Sequence, residues 1–410
     1  MDSKIFINRN FLSLWLGKVI SQLGDKFYAI ALAWWILQKT NSPKVMGLFL
    51  LISVLPGLIF GFFAGALVDR WNRKYVIIIT DIIRGLLVIL IVCLSIFKLL
   101  QVWHVFVIGA SISFITSFFD PAIQSIVPQI VDKERLNEAN SMSQMVNGIC
   151  TVLGPMFGAV AISWFGLTYV FLLNGISYFI SAILENMIIL KSNYRISDET
   201  NNIWIDMKEG ILFLKNKQQI LRVIIIIAIA HFFLGSLMVL LPFLAKNLNG
   251  NGVQNLGYMQ AILGLGLLLG SIYIRGKKND TISEYYLINL IMFVGICFLG
   301  IGIEQFIMIK TIIPYMIALI LIGGSVACAV VFWQLLIQLN TPDNMTGRVF
   351  SVSTLVGNVS LPIAYGTFGV LLNYSSIMKL MLFSGCCLIV LCCVLIFRLR
   401  LNKIKESILK

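Results

Sequence analysis

The sequence predicts an all-α polytopic membrane protein of twelve transmembrane helices in two six-helix bundles, and three observations predict it. Apolar residues make up 59% of the chain and charged residues 12%, with a mean hydropathy of +0.93, whereas charged residues alone are about a quarter of a soluble domain. Twelve apolar runs each reach about 20 residues, enough to cross roughly 30 Å of hydrocarbon as a helix. Lys and Arg are sorted by side. With the N-terminus inside, twenty-two of the 31 fall on inside segments, six on outside ones (Lys39, Lys44, Lys98, Lys246, Lys310, Lys379) and three within spans (Lys18, Lys26, Arg84). This asymmetry is the positive-inside pattern, and it predicts a multi-pass cell-membrane protein with both termini cytoplasmic.

The expected spans are 11–38, 45–68, 75–97, 103–127, 138–165 and 168–190, then 219–246, 254–274, 284–305, 311–337, 349–372 and 376–397. Residues 1–190 form the first bundle, 191–218 a cytoplasmic linker and 219–410 the second bundle with its tail. The linker contains an amphipathic piece from Ile203 to Lys215, whose basic and aromatic residues suit a helix at the inner interface. An offset of 210 residues lays the fourth and fifth spans over the tenth and eleventh. It aligns Gln124, Ser141, Ser143, Val146 and Val160 with Gln334, Ser351, Ser353, Val356 and Val370, as duplication of a six-helix unit would.

The net charge of +13 is explained by this placement, so no nucleic-acid partner is expected. The eight cysteines lie in apolar runs, and the pairs Cys386-Cys387 and Cys392-Cys393 have no His or carboxylate nearby, so neither a disulfide framework nor a metal site is expected. No cofactor is expected either. The first apolar run carries charges and continues past signal-peptide length, so it reads as a span.

A charge-dense turn separates the second and third spans: Gly61-Phe62-Phe63-Ala64-Gly65-Ala66-Leu67-Val68-Asp69-Arg70-Trp71-Asn72-Arg73-Lys74. Gly61 and Gly65 share a helix face and are expected to let a neighbouring backbone approach. Asp69, Arg70, Arg73 and Lys74 require the membrane surface. Asn72 suits a left-handed turn residue. The bland reading is a topogenic loop; the sharper one is a gating latch that Asp81 helps to complete.

Several polar groups fall inside spans. Asp25 lies about 14 residues into the first span, roughly 21 Å along the helix, on a face shared with Lys18, Ser21, Gln22, Tyr28 and Ala29 that is too polar for lipid. A carboxylate there is a candidate for carrying a proton or meeting a cationic substrate; the alternative is a fixed pair with Lys26. Asp81 and Arg84 are three apart and can pair. The fourth span carries Gly109, Ser113, Thr116, Ser117 and Asp120 on one face up to Pro121, and the fifth carries Asn140, Gln144, Asn147 and Thr151, followed by Gly154-Pro155 and Gly158. His231 in the seventh span and Asn358 in the eleventh are further polar candidates. Glu185 and Glu304 read as surface residues near helix ends. Trp34, Trp35, Phe114, Phe118, Phe119, Tyr169, Phe232, Phe233, Tyr258 and Trp333 could wall a chamber or anchor helix ends.

The turn motif resembles the loop between the second and third helices of the major facilitator superfamily, with Asn72 in place of its Gly. The stretch Leu14 to Asp25, Phe118-Phe119-Asp120-Pro121-Ala122 with Val127-Pro128, Leu136 to Ser141, and Gly347-Arg348-Val349-Phe350-Ser351 resemble twelve-helix drug:proton antiporters of the macrolide-efflux type. Gly154-Pro155 with Gly158 resembles the Gly-Pro signature of antiporter fifth helices. The Arg that many proton-coupled exporters carry in the fourth helix is not present in this chain.

The resemblance implies the major facilitator fold and rocker-switch alternating access. It implies a monomer exchanging an amphipathic, drug-like molecule for protons across the lipid bilayer, with Asp25 leading and the turn at Asp69 acting as an inner gate latch. Relatives that export siderophores or move lysophospholipids keep those cargoes open. A membrane enzyme is excluded by the lack of a reactive constellation: the two histidines, His104 and His231, have no His-Glu-x-x-His spacing, and there is no serine nucleophile elbow.

Overall fold

The computed structural model describes residues 7–68, 71–190, 212, 214, 217–275 and 284–408. These residues form twelve α-helices and no strand. They are α1 (Arg9–Thr40), α2 (Pro43–Val68), α3 (Arg73–Ile96), α4 (Val102–Ile130), α5 (Leu136–Phe165) and α6 (Leu167–Asn186), then α7 (Gln218–Asn247), α8 (Gly252–Arg275), α9 (Glu284–Phe306), α10 (Ile313–Asn340), α11 (Asp343–Tyr374) and α12 (Ile377–Ile408). Eleven are long and apolar enough to cross a membrane. The exception is α1, which at 32 residues has the length but carries Lys18, Asp25 and Lys26 in its middle. Of the linker 191–218 only Leu212, Leu214, Lys217 and Gln218 are among the described residues, so its amphipathic piece lies outside them apart from Leu212 and Leu214.

The chain divides into two compact units, Met1–Glu199 with Leu256–Ala261, and Thr200–Asn255 with Ile262–Lys410. In the first, α1 packs on α5 and α6, α3 on α4 and α6, and α2 on α4. In the second, α7 packs on α11, and α9 on α10 and α12. The pairings α1 with α5, α3 with α6 and α3 with α4 therefore recur as α7 with α11, α9 with α12 and α9 with α10.

The repeat extends to individual contacts. A Cβ on Gly85 would lie 3.0 Å from Phe179, and one on Gly175 would lie 2.7 Å from Ile89. At the same offset of 210, Gly295 faces Ile389 at 3.0 Å and Gly385 faces Leu299 at 2.8 Å. One small residue on each helix lets the two backbones approach at the same level in both units.

Two expectations at the charged turn change. No atom lies within 4 Å of a Cβ built on Gly61, so the anticipated close approach is absent there. A close approach of this kind occurs in the second unit, where a Cβ on Gly266 or Gly270 of α8 would run into the backbone of α10 at Ile320 and Gly324. Gly65 lies within α2, which runs to Val68, while Asp69 and Arg70 lie outside the described residues. Asn72 is extended, at φ −71° and ψ 107°, and its side chain accepts from the Lys74 N–H, so it caps α3 instead of turning left-handed.

Candidate functional site

A recess of about 1000 Å³ opens in the first unit, walled by α1, α3, α4 and α5. Helix α1 contributes Lys18, Ser21, Gln22, Asp25, Lys26 and Ala29, which lie three and four residues apart and so on one face. Helix α5 contributes Asn140, Ser143, Gln144, Asn147 and Thr151, with the Asn147 amide donating to Gln144 Oε1 at 3.1 Å. From α4 come Thr116, Asp120 and Gln124, beside an apolar strip of Phe119, Ile123 and Val127 at four-residue spacing. Helix α3 contributes Arg84 alone.

The α1 face stands close to α5 because Gly154 lets the Lys26 stem pass and because a Cβ on Gly158 would lie only 3.0 Å from the Phe27 Cα. On the other side, Gly17 and Gly24 let α1 settle on α6 against Ser181, Ser177 and Asn174. The glycines thus clamp α1, the one helix whose charges make it a poor lipid partner, between two protein neighbours.

Behind the recess wall the polar groups are paired. Arg84 donates to Asp81 one turn earlier on α3. Its guanidinium lies 4.0 Å from the centre of the Phe119 ring and 4.6 Å from that of Tyr178. The Tyr178 hydroxyl donates to the Asp25 carboxylate. Arg84, Asp81, Tyr178 and Glu185 are all 2% exposed or less. A cation this deeply buried is held by its carboxylate and by two aromatic faces together.

The sequence-derived candidates separate into groups. Gln22, Asp25, Lys26, Arg84, Asp120, Gln144 and Asn147 come together around the one recess. Tyr28 leaves the predicted α1 face and is buried against Phe171, at 5.7 Å between ring centres. Of the aromatic candidates, Phe119 alone lines the recess, and Trp333 is buried with its indole N–H on Ser353 Oγ at 2.8 Å. His231 borders a cavity of about 20 Å³ in the second unit, lined by Ile, Leu, Val and Ala, and Asn358 is an exposed residue of α11.

Around the turn, Arg73 is buried and Lys74 donates to the Asn186 carbonyl at 2.7 Å, whereas Asp81 is engaged with Arg84. Glu185, expected at the surface, is fully buried, and Glu304 is half-buried. The overlooked element is α6, behind the recess, where Asn174, Ser177, Tyr178, Ser181 and Glu185 form a buried polar stripe at three- and four-residue spacing. That spacing was the available signal.

The small cavity at His231 is the repeat-related counterpart of the charged region. At the offset of 210, its lining residues Ile291, Val294, Val330 and Leu388 occupy the places of Asp81, Arg84, Asp120 and Tyr178. One unit fills this location with charge, the other with hydrocarbon.

Residues 14–365 match the Major Facilitator Superfamily. The chain is 25% identical to the Uncharacterized MFS-type transporter YfiS of Bacillus subtilis (strain 168) over 400 residues, covering 95% of this chain and 94% of that one. It is 22% identical to Macrolide efflux protein A of Streptococcus pyogenes over 407 residues, 98% of each. In fold it is similar to a bacterial homologue of the iron transporter ferroportin in an inward-facing state, with a TM-score of 0.73 at 16% identity, covering 94% of this chain and 98% of that one.

Proposed function

The chain belongs to the Major Facilitator Superfamily, and from that premise we propose that this multi-pass membrane transporter exports amphipathic small molecules of the macrolide type in exchange for protons. In this reading it works as a monomer in the cell membrane with both termini in the cytoplasm. The bundles 1–190 and 219–410, tethered by 191–218, rock to expose the recess to each side in turn.

The observation that carries the reading is the make-up of the recess. Its α1 and α5 walls are polar and its α4 wall carries the strip Phe119, Ile123 and Val127, which suits a cargo with one polar and one apolar side. Asp25 sits where cargo and proton can compete for the same carboxylate. At about 2.3 kcal/mol per charge per 100 mV, one inward proton can drive a comparable export.

The test is efflux of a radiolabelled macrolide from cells carrying the wild type or Asp25→Asn, with and without a protonophore. Wild-type efflux is expected to collapse with the protonophore, and Asp25→Asn to lose efflux at unchanged protein level. Normal efflux by Asp25→Asn rules the assignment out.

A second reading is favoured by the recess charges. Lys18, Lys26 and Arg84 outnumber Asp25 and Asp120, which suits an anionic cargo such as a carboxylate siderophore or a lysophospholipid phosphate. Counterflow in liposomes with each cargo class distinguishes the two.

A further inference from the structure

Asp81 and Glu185 are fully buried, and neither lines the recess. Ser181 stands between them. Its hydroxyl donates to Glu185 Oε1 at 3.3 Å, one helical turn away on α6, and is also within hydrogen-bonding reach of Asp81 on α3. A hydroxyl carries one proton and can satisfy one of the two acids at a time. The remaining oxygens, Asp81 Oδ2 and Glu185 Oε2, are buried with no partner. Helix α1 closes the site, since a Cβ on Gly17 would come within 3.0 Å of Ser181 Oγ.

We propose that Asp81 and Glu185, bridged by Ser181, form a proton-binding site behind the recess that takes up and releases the proton exchanged for cargo. The proposal rests on the proton-coupled reading above. The charged and titratable groups facing the pair are Arg84 on α3, Tyr178 on α6 and Asp25 on α1, with Lys26 and Lys18 further along α1 and Asp120 on α4 beyond Arg84. Two dry acids therefore share one adjacent cation, which also attracts Asp25. A second uncompensated carboxylate in this interior is strongly disfavoured. A proton on either acid forms an O–H bond, removes the excess charge and turns an orphaned acceptor into a donor. No electron moves, and the proton returns to water on release.

Arg84 links the pair to the recess. When the pair holds a proton, the guanidinium charge is available to Asp25; when the pair is bare, the same charge is drawn back. Cargo meeting Asp25 and proton meeting Asp81 and Glu185 then influence each other reciprocally. Packing does not demand these groups. In the second unit the places of Asp81, Arg84, Ser181 and Glu185 are taken by Ile291, Val294, Leu391 and Leu395, in an equally helical bundle.

The experiment uses the full chain in liposomes, as wild type, Glu185→Gln and Glu185→Asp. Infrared difference spectra between acid and alkaline pH report the carbonyl stretch of a protonated carboxyl. Expected is a band in the wild type that is absent in Glu185→Gln and shifted in Glu185→Asp. Macrolide accumulation driven by a pH gradient falls roughly tenfold or more in Glu185→Gln, within the usual range of coupling energies.

An unchanged band in Glu185→Gln, or undiminished gradient-driven accumulation, overturns the proposal. If Glu185→Gln does not fold, absence of the band from the wild type at every pH overturns it equally, and a shift in Glu185→Asp supports it. A wild type indifferent to the pH gradient defeats the proton-coupled reading and the exchange step with it, while the band still decides whether the pair binds a proton.

Discussion

The Tyr178 hydroxyl donates a hydrogen bond to the Asp25 carboxylate, tying α6 to the recess face of α1. A hydrogen bond to a charged acceptor contributes roughly 1.5–3 kcal/mol. Tyr178→Phe removes the donor and keeps the ring over Arg84, so it is expected to lower thermal stability by that order while the protein still inserts. Thermal unfolding of purified Tyr178→Phe and of Asp25→Asn tests this. The double variant should lose less than the sum of the two single losses, because the pair is counted twice in the sum.

Removing one member of the buried charge cluster and removing all of it have opposite consequences. Asp81→Ile alone strands Arg84, at a cost of about 3–5 kcal/mol. The triple change Asp81→Ile, Arg84→Val and Glu185→Leu installs the residues that the second unit carries at the matching places. It is expected to be neutral or stabilising by about 1–4 kcal/mol, while gradient-driven transport disappears. Parallel melting and transport assays on the single and triple variants check both halves.

The glycines of α1 and α2 separate in the same way. A Cβ on Gly24 would run into Ser177 and Asn174, so Gly24→Ala is expected to destabilise by about 1–3 kcal/mol through overpacking. Gly61 has open space around it, and Gly61→Ala replaces a poor helix former, for a gain of about 0.5–1 kcal/mol. Comparing membrane yield and melting temperature of the two variants tests the contrast.

His231 has a buried Nδ1 with no hydrogen-bond partner and apolar cavity walls. His231→Leu is expected to keep transport and to hold or raise stability by about 1 kcal/mol, since a buried polar atom is removed without opening a void. Loss of transport in this variant, at normal expression, would return His231 to the working residues.

How much of this was legible in the sequence depended on whether the relevant relationship lay within one helix or between helices. The polar faces of α1 and α5 were readable because Lys18, Gln22, Asp25, Gln144 and Asn147 recur at helical spacing in runs that otherwise suit lipid. Glu185 was not, because the penultimate residue of a helix ordinarily reaches water. Its burial depends on α1 and α3 packing against α6; the only trace of this within α6 is the three- and four-residue spacing that Glu185 shares with Asn174, Ser177, Tyr178 and Ser181. The turn glycines mislead for a related reason: spacing creates a flat face, but the neighbouring helix decides whether it is used. In the second unit α8 is approached closely at Gly266 and Gly270, while Gly61 faces open space.

The polar middle of α1 also bears on how the protein is made. Each charge near the centre of a membrane helix adds about 2.5–3.5 kcal/mol to the cost of insertion, and α1 leaves the ribosome before α5 and α6 with Lys18, Asp25 and Lys26 in place. The partners that shelter it, Gly154 on α5 and Asn174, Ser177 and Tyr178 on α6, follow more than a hundred residues later. At about 5–20 residues per second, α1 waits on the order of ten seconds for them. Its stable residence in the bilayer is therefore a late event of biogenesis, completed when α6 arrives.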